Sequence, residues 1–462
     1  MTSRKLPLHL AAGTLALGLA IAAPAAVSAQ PQAGRLFRFS SCVTCSQHNP
    51  TVAGNAAGDF LGTWLEPTNG VSEGVFSRTF GPGLTPFGND FEVAAGGPGQ
   101  PPQFDGAAAA DSHGNFVVVW ASLADDQSTI QAQRFDPKGN ALGGQIEVAA
   151  DPASSPTTPS DLRPAVAAAP GGGFVVAWVS LVTADQMPGN PRVMARIFDG
   201  AGTPAGPAVQ LSTGAALSDR PSLCVSGTGR VHAAWTFTDV ILPFQASPIG
   251  AVVRRLSPGG VPLGPEQVVA PPLDSESSVA IACGRGNTYM VAWQTAQSPA
   301  VSGSDIVAQR FTRIGRAVGG RFVVNQLVDN DQRNPALIAD ATGAFVVVWE
   351  GNPGGVNGVR GRRFGGNGAP LSDEFSVYNG SLGDFSLLRP ALSGVGAGKG
   401  FVVAVDAPGG VVGRVFSVTG AGAAAADDLA DAGTAAGAVA GPGVPVDGSG
   451  TSGNGRGAGG LW

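Results

Sequence analysis

A short apolar run ending in tryptophan recurs at nearly constant spacing along this sequence of 462 residues. The run ends in tryptophan six times, at intervals of 56 to 58 residues: Trp64, Trp120, Trp178, Trp235, Trp293 and Trp349. A seventh run, residues 401–405, follows at the same interval and has Val405 in the tryptophan position. Self-similarity at a fixed period is the signature of a repeat architecture, in which each unit buries its faces against its neighbours. The sequence therefore contains seven copies of one structural unit.

Each repeat offers four short runs of β-branched or aromatic residues, separated by Gly, Pro, Asn and Asp. In the second repeat these features include residues 116–120, Arg134-Phe135 and residues 146–148. Such a pattern predicts an antiparallel four-stranded sheet. Seven sheets of about 57 residues each indicate an all-β protein, a seven-bladed β-propeller. An array of β-sandwich domains that each use two repeats is the alternative, but an odd number of repeats fits a ring better.

The two ends of the repeat region predict how the ring closes. The seventh repeat has three strand-like runs and no visible fourth one, because Gly and Ala follow from Gly420 onward. The run at residues 35–39 stands where a fourth strand would stand relative to Pro50, the proline of the first repeat. We expect this N-terminal strand to complete the last blade by pairing with the strand around Arg414. Residues 30–420 are then the propeller.

The segments outside the propeller have distinct compositions. Residues 1–29 read as a signal peptide, with Arg4 and Lys5 before an apolar stretch and a small-residue cleavage site before Gln30; an uncleaved membrane anchor is the alternative. Residues 421–462 are rich in Gly and Ala and are predicted to be a flexible tail. We therefore expect a secreted monomer in the periplasm, at the cell surface or outside the cell. No membrane span is expected after cleavage.

Charge and side-chain chemistry exclude several classes of function. Removal of Arg4 and Lys5 with the signal leaves 25 basic and 33 acidic residues, a net charge of −8, which argues against a nucleic-acid partner. The mature chain has three histidines (His48, His113 and His232), and they occupy different repeat positions, so neither a shared metal site nor a His-based catalytic triad is indicated. Turns with one Asp each lack the oxygen ligands that calcium requires. No metal site, cofactor or catalytic residue is therefore expected.

The mature chain has four cysteines, and export makes disulfides the default. Cys42 and Cys45 form a lone CxxC motif with no second CxxC and no His-x-x-His nearby, so half of the ligands of a zinc site are missing and a local disulfide is favoured over a redox motif. Cys224 and Cys283 fall in the first strands of adjacent repeats, 11 and 10 residues before their tryptophans. Because side chains alternate along a strand, these offsets point the two cysteines to opposite sheet faces. Across one blade interface they could bridge; two reduced buried thiols are the alternative.

The residues that lead into the first strands recur as Asp, Arg and Pro, and they form the candidate ligand site. If first strands are innermost, these residues surround one mouth of the central channel: Arg163, Arg220, Arg333 and Arg389, with Asp161, Asp219 and Asp331. Arginine forks suit carboxylates and phosphates, so an anion or acidic-glycan site is one interpretation. Local Asp–Arg pairs that only hold the loops between blades are the other. By the same logic, the arginines beside third-strand aromatics and the tryptophans are expected to be framework contacts.

The repeat resembles one found in a class of bacterial secreted and surface proteins. Their copies read Phe-Val-Val-Val-Trp, then Ala-Gln-Arg-Phe-Asp and Leu-Gly-Gly, and residues 116–120, 132–136 and 142–144 match all three elements. The likeness extends over roughly residues 35–420. It implies propeller-like β repeats in exported proteins, often without an assigned activity.

These observations favour a secreted, non-enzymatic propeller that binds an extracellular protein or glycan through one face. Two alternatives stay open. An extracellular polysaccharide hydrolase or lyase would place two or more acids at the channel mouth, where the sequence offers Asp161, Asp219 and Asp331. A purely structural surface protein would have no ligand there.

Overall fold

The computed structural model describes residues 30–68, 72–124, 127–151, 162–182, 188–213, 217–238, 249–273, 278–295, 303–340, 342–352, 357–380, 388–397 and 400–418. All of them belong to one compact unit, and a second unit, Asp427–Trp462, lies outside the described residues. The predicted signal peptide and tail also lie outside them. No helix in the described part of the chain is long and apolar enough to cross a membrane.

The described residues form seven antiparallel sheets, each made of consecutive strands except the last. Blade 1 contains β2 (His48–Gly54), β3 (Phe60–Thr68), β4 (Ser72–Gly81), the short β5 (Thr85–Pro86) and β6 (Phe91–Ala94). Blade 2 contains β7 (Gln103–Ala110), β8 (Phe116–Ala124), β9 (Gln127–Phe135) and β10 (Ile146–Asp151). Blade 3 contains β11 (Ala165–Ala168), β12 (Phe174–Val182), β13 (Pro188–Phe198) and β14 (Val209–Gln210).

The remaining blades repeat this order. Blade 4 contains β15 (Leu217–Val225), β16 (Val231–Thr238), β17 (Ile249–Leu256) and β18 (Gln267–Leu273). Blade 5 contains β19 (Val279–Cys283), β20 (Tyr289–Gln294), β21 (Ile306–Phe311) and β22 (Ala317–Val323). Blade 6 contains β23 (Gln332–Ala339), β24 (Phe345–Gly351), β25 (Gly358–Phe364) and β26 (Phe375–Asn379). Blade 7 contains β27 (Ala391–Val395), β28 (Gly400–Ala407), β29 (Gly410–Ser417) and the N-terminal β1 (Gln32–Arg38). Two single-turn 3₁₀ helices, Pro170–Gly172 and Arg285–Asn287, connect first and second strands.

The first strands lie at the centre of the ring. Each contacts the first strand of the next blade in the order β2, β7, β11, β15, β19, β23, β27 and back to β2. A closed circle of neighbouring first strands defines a central channel, and the seven-bladed propeller predicted from the repeat is confirmed.

The tryptophan runs form the core between blades. Each run is the second strand of its blade and is paired on both sides, and all six tryptophans are at most 2% exposed. Trp293 of blade 5, for example, packs in one cluster with Ala234 and Val253 of blade 4. A buried tryptophan removes ~150–250 Å² from water, so the repeat supplies the same large apolar contact at every interface.

Third-strand arginines add polar contacts between the blades. The guanidinium of Arg196 lies 5.8 Å from the ring centre of Phe198 and donates to the carbonyl of Val148 in the preceding blade at 2.9 Å. Arg362 lies over Phe364 in the same way and donates to Val324. Arg363 directly precedes Phe364 in the sequence, but Arg362 is the arginine that stacks on Phe364. Side chains alternate between the two faces of β25, so residues 362 and 364 share one face and residue 363 lies on the other.

The ring closes between the two ends of the propeller. β1 pairs with β29, with Leu36 opposite Arg414, so the predicted closure is confirmed. Phe39, which follows β1, is fully buried between blades 7 and 1. A Cβ atom on Gly62 would lie 2.0 Å from the Phe39 ring, so this position in β3 has to be glycine. The closing strand is therefore held by packing as well as by the backbone ladder.

Two disulfides are present, as predicted. Cys42–Cys45 closes a short loop before β2, and Cys224–Cys283 joins the ends of β15 and β19 and so links blades 4 and 5. No free cysteine is found in the described residues.

Candidate functional site

Three of the four predicted arginines line one cavity at the end of the channel where the first strands begin. Arg163, Arg333 and Arg389 reach this cavity from blades 3, 6 and 7, and its volume is about 490 Å³. We call this end of the channel the mouth. Further polar side chains complete its lining: Asn49, Glu73, Asp105, Ser278, Gln294 and Asn334.

The mouth is built at one repeat position where the backbone is strained. In five blades the residue just before the straight part of the first strand has a positive φ without being glycine: Asn49 (51°), Asp105 (30°), Arg163 (29°), Asn334 (48°) and Arg389 (37°). The strand register shifts at this point in several blades, as in a β-bulge. A bulge redirects a side chain, and a positive φ at a non-glycine residue costs about 1–3 kcal/mol. The fold therefore keeps polar side chains at the mouth against a local energetic cost.

Arg333 forms a local ion pair with Asp331, as expected if Asp–Arg pairs hold the loops between blades. Its guanidinium lies 2.7 Å from a carboxylate oxygen of Asp331, and the two side chains are 47% and 44% exposed. Asp331 also accepts a hydrogen bond from the backbone N–H of Ser304. A pair this exposed contributes only about 0–1 kcal/mol to stability, so Arg333 can exchange its partner for another anion at little cost.

Arg389 is held by a buried carboxylate behind the mouth. Glu350, at the end of β24, accepts the backbone N–H of Arg389 at 2.6 Å and the side-chain amide of Asn334 at 3.0 Å. Burial raises the pKa of Glu350, and these hydrogen bonds and nearby arginines oppose the rise. The Arg389 side chain in turn donates to the amide oxygen of Asn49 across the interface of blades 7 and 1. Glu350 thus positions two mouth residues.

The side of the mouth formed by blade 1 carries a histidine–carboxylate pair. Nε2 of His48 lies 3.0 Å from a carboxylate oxygen of Glu73, and both side chains are about one-third exposed. The hydrogen bond to Glu73 raises the pKa of His48 in spite of partial burial, and Asp406 adds to the rise. Asp406 also accepts the backbone N–H of Asn49 at 3.3 Å. The mouth therefore has an arginine-rich side and a side where an imidazole and carboxylates meet.

Not all of the predicted residues can be placed. Arg220 and Asp219 belong to β15, but their side chains lie outside the described part, as does all of Asp161. The structure brings Arg163, Arg333, Arg389 and Asp331 to the same end of the ring.

Several residues that line the mouth were not predicted, because the candidates were chosen by the recurrence of Arg and Asp and not by position within the repeat. Asn49, Asp105 and Asn334 stand fifteen residues before their tryptophans, as Arg163 does. The repeat position was therefore a signal that could have identified them. Glu73 and Glu350 carry no repeat signal of that kind.

Comparisons with known proteins concern the fold alone. No protein-family model matches the sequence, and no curated protein matches it. Among solved structures, a protein of unknown function from Dyadobacter fermentans is 10% identical with a TM-score of 0.49, over 84% of this chain and 99% of that one. An α-L-arabinanase from Penicillium chrysogenum is 14% identical with a TM-score of 0.48, over 69% and 94%. A PL25 polysaccharide lyase, an ulvan lyase, is 8% identical with a TM-score of 0.49, over 80% and 93%.

Proposed function

We propose that the protein is an exported, non-enzymatic propeller that binds an acidic ligand at the mouth. The observation that carries this proposal is the gathering of Arg163, Arg333 and Arg389 around one cavity. Planar guanidinium groups pair with carboxylates through two parallel hydrogen bonds, and three of them suit a ligand with several acidic groups. Two disulfides fit an oxidising compartment and support export.

The size of the cavity favours a saccharide over a protein surface as the ligand. A volume of about 490 Å³ falls within the range of ~300–1,000 Å³ that is usual for small-molecule sites. Such a cavity accommodates a few sugar units, whereas a stable protein interface covers a much broader surface, about 800 Å² on each partner. We therefore propose an acidic glycan, with uronate carboxylates on the arginine-rich side.

Titration calorimetry with oligogalacturonate at low salt tests this proposal. We expect the double variant R163A/R333A to bind at least about tenfold more weakly, because each lost charge-assisted contact contributes roughly 1.5–3 kcal/mol. R316A is the matched control: Arg316 is exposed in the turn between β21 and β22, at the opposite end of the strands. Equal affinity for a neutral oligosaccharide, or an unchanged affinity of the double variant, would contradict the proposal.

A lyase is the second candidate, and the His48–Glu73 pair favours it. A neutral imidazole oriented by a carboxylate can remove a proton from the carbon beside a uronate carboxylate. The glycosidic oxygen on the next carbon then leaves as a hydroxyl group, with a proton supplied by the imidazolium or by water, and a carbon–carbon double bond forms. Appearance of the ultraviolet absorbance of unsaturated uronate, lost in H48Q and kept in R316A, would establish this activity over simple binding. A hydrolase would release reducing ends without that absorbance.

A further inference from the structure

A second cluster of reactive side chains lies at the other end of the first strands, away from the mouth. Cys224 and Cys283 stand near the ends of β15 and β19, and His232 stands at the start of β16. His232 is the cross-strand partner of Cys224, and its Nδ1 lies 3.5 Å from the Sγ of Cys283. The cluster therefore spans the interface of blades 4 and 5.

His232 is an unusual residue for this position. It is fully buried, and its Nε2 has no hydrogen-bond partner among the described residues. Its ring packs against Tyr289 with 4.6 Å between ring centres. Burial, and then the charge of Arg255, lower the pKa of His232 to about 4. The imidazole is thus neutral near neutral pH. Apolar residues occupy the corresponding places in the other runs, such as Val117 and Val346, so packing alone does not require a histidine.

The distance between His232 and Cys283 matches that between two ligands of a soft metal ion. Tetrahedral zinc with Zn–S near 2.3 Å and Zn–N near 2.0–2.1 Å places a sulfur and a nitrogen ligand roughly 3.5–3.6 Å apart. That is the separation of Nδ1 of His232 from Sγ of Cys283. The ligand atoms of Cys224, His232 and Cys283 all lie within 4.8 Å of one another. Two cysteines and one histidine leave the fourth position to water.

We propose that the chain in which the Cys224–Cys283 disulfide is reduced binds a zinc ion through Cys224, His232 and Cys283. A phosphine reductant breaks the S–S bond: phosphorus takes the oxygen of one water molecule and becomes a phosphine oxide, and each sulfur gains one hydrogen. Zn²⁺ then displaces the two thiol protons as it binds. The disulfide and the metal are alternative links between blades 4 and 5.

The Cys42–Cys45 loop is the competing cysteine site and has to be removed from the experiment. Together with Glu66 it forms another close group of possible ligands. It contains no histidine. The full chain carrying C42S/C45S therefore isolates the inter-blade cluster and serves as the parent for all measurements.

Zinc alone, titrated in competition with a chromophoric chelator, tests the proposal. We expect one Zn²⁺ per chain after phosphine reduction and none in the oxidised parent. Replacing His232 by glutamine should weaken binding by more than about tenfold, and C224S should weaken it further. Co²⁺ in the unmutated site should give the visible bands of a tetrahedral ion with thiolate-to-cobalt charge transfer.

The cobalt spectrum and far-ultraviolet circular dichroism keep the test independent of variants that fold poorly. A reduced parent that retains its circular dichroism but takes up no Zn²⁺ and shows no tetrahedral Co²⁺ spectrum overturns the proposal. So does equal zinc affinity of H232Q and the parent, because the metal would then bind without the imidazole.

Discussion

The two ends of the blades use the same backbone conformation in opposite ways. At the end away from the mouth, hairpin turns begin with an aspartate whose carboxylate accepts N–H groups two and four residues later: Asp111, Asp136, Asp199 and Asp340. The positive φ in these turns belongs to glycines: Gly114, Gly139, Gly202 and Gly343. At the repeat position that lines the mouth, by contrast, the positive φ values belong to Asn, Asp and Arg.

This difference separates stability from recognition. Glycine adopts a positive φ without a steric cost, so these four aspartate turns are relaxed and self-capped. At the mouth the chain keeps a side chain where glycine would be more stable, which is the pattern found where strain serves a site. We infer that one end of each blade is optimised for folding and the other for contact with a ligand.

The largest effect is expected from a turn aspartate that is also buried. Asp340 pairs with Arg363 at 2.6 Å, and their side chains are 1% and 8% exposed. D340A should destabilise the protein by about 3–5 kcal/mol in urea denaturation, because it leaves the Arg363 charge buried without a partner. D136A removes the same turn cap at an exposed site and should cost only about 1 kcal/mol. Similar costs for the two variants would show that burial of the pair has no role.

Glycines away from the mouth should tolerate a side chain poorly. An alanine in place of Gly139 would have to adopt a positive φ, and its Cβ would lie 2.8 Å from the ring of Phe91 in the preceding blade. G139A should therefore cost about 2–4 kcal/mol, the sum of backbone strain and overpacking. Gly143 also has a positive φ, but nothing lies within 4 Å of an added Cβ. G143A should lose only the strain, about 1–2 kcal/mol, in the same urea titration.

Replacement of a mouth residue by glycine should not destabilise the protein, in contrast to replacement of a turn glycine by alanine. R389G keeps the backbone N–H that Glu350 accepts and removes both the strained side chain and its charge. We expect unfolding free energy to stay level or rise by up to about 1 kcal/mol, while affinity for an acidic oligosaccharide falls. Loss of stability as large as that of G139A would refute the contrast between the ends.

The smallest effect concerns pH and the His48–Glu73 pair. Because the folded pKa of His48 is raised above 6.5, folding is favoured by protonation of this residue. Its contribution is fully present below pH 6.5 and is lost as the pH rises through the folded pKa. At acidic pH, the free energy of unfolding of the parent should exceed that of H48Q by less than about 1 kcal/mol. This difference should shrink as urea titrations are repeated at increasingly alkaline pH. H113Q is the control, because His113 lies in a turn away from the mouth and its side chain is 64% exposed.

The fold was predictable because burial repeats with the sequence. Every blade interface needs the same apolar contact, so the spacing of the six tryptophans, continued by Val405, counted the seven blades. The mouth was only partly predictable. Arginine recurs there and was recognised, whereas Asn49, Asp105 and Asn334 share the position and the backbone conformation of Arg163 but not its residue type. Outside glycine, a positive φ leaves only a weak mark in the sequence, an enrichment in Asn and Asp.

The inter-blade disulfide and its histidine illustrate the same limit. The offsets of Cys224 and Cys283 within their repeats indicated a bridge between blades 4 and 5 but did not decide between a disulfide and two reduced thiols. The approach of His232 depends on the pairing register of β15 with β16, in which Cys224 lies opposite His232. A register cannot be read from one strand alone, because both partners and the turn between them set it.

The pairing of β1 with β29 also has a consequence for the timing of assembly. Leu36 and Arg414 pair across nearly the whole length of the propeller sequence. Contacts between residues so far apart in sequence are the slowest to form. A ribosome has to finish almost the entire chain before the first strand finds its place. Until β29 is available β1 has no partner strand, and any delay in synthesis or export prolongs the exposure of a strand edge to which strands of other molecules can add.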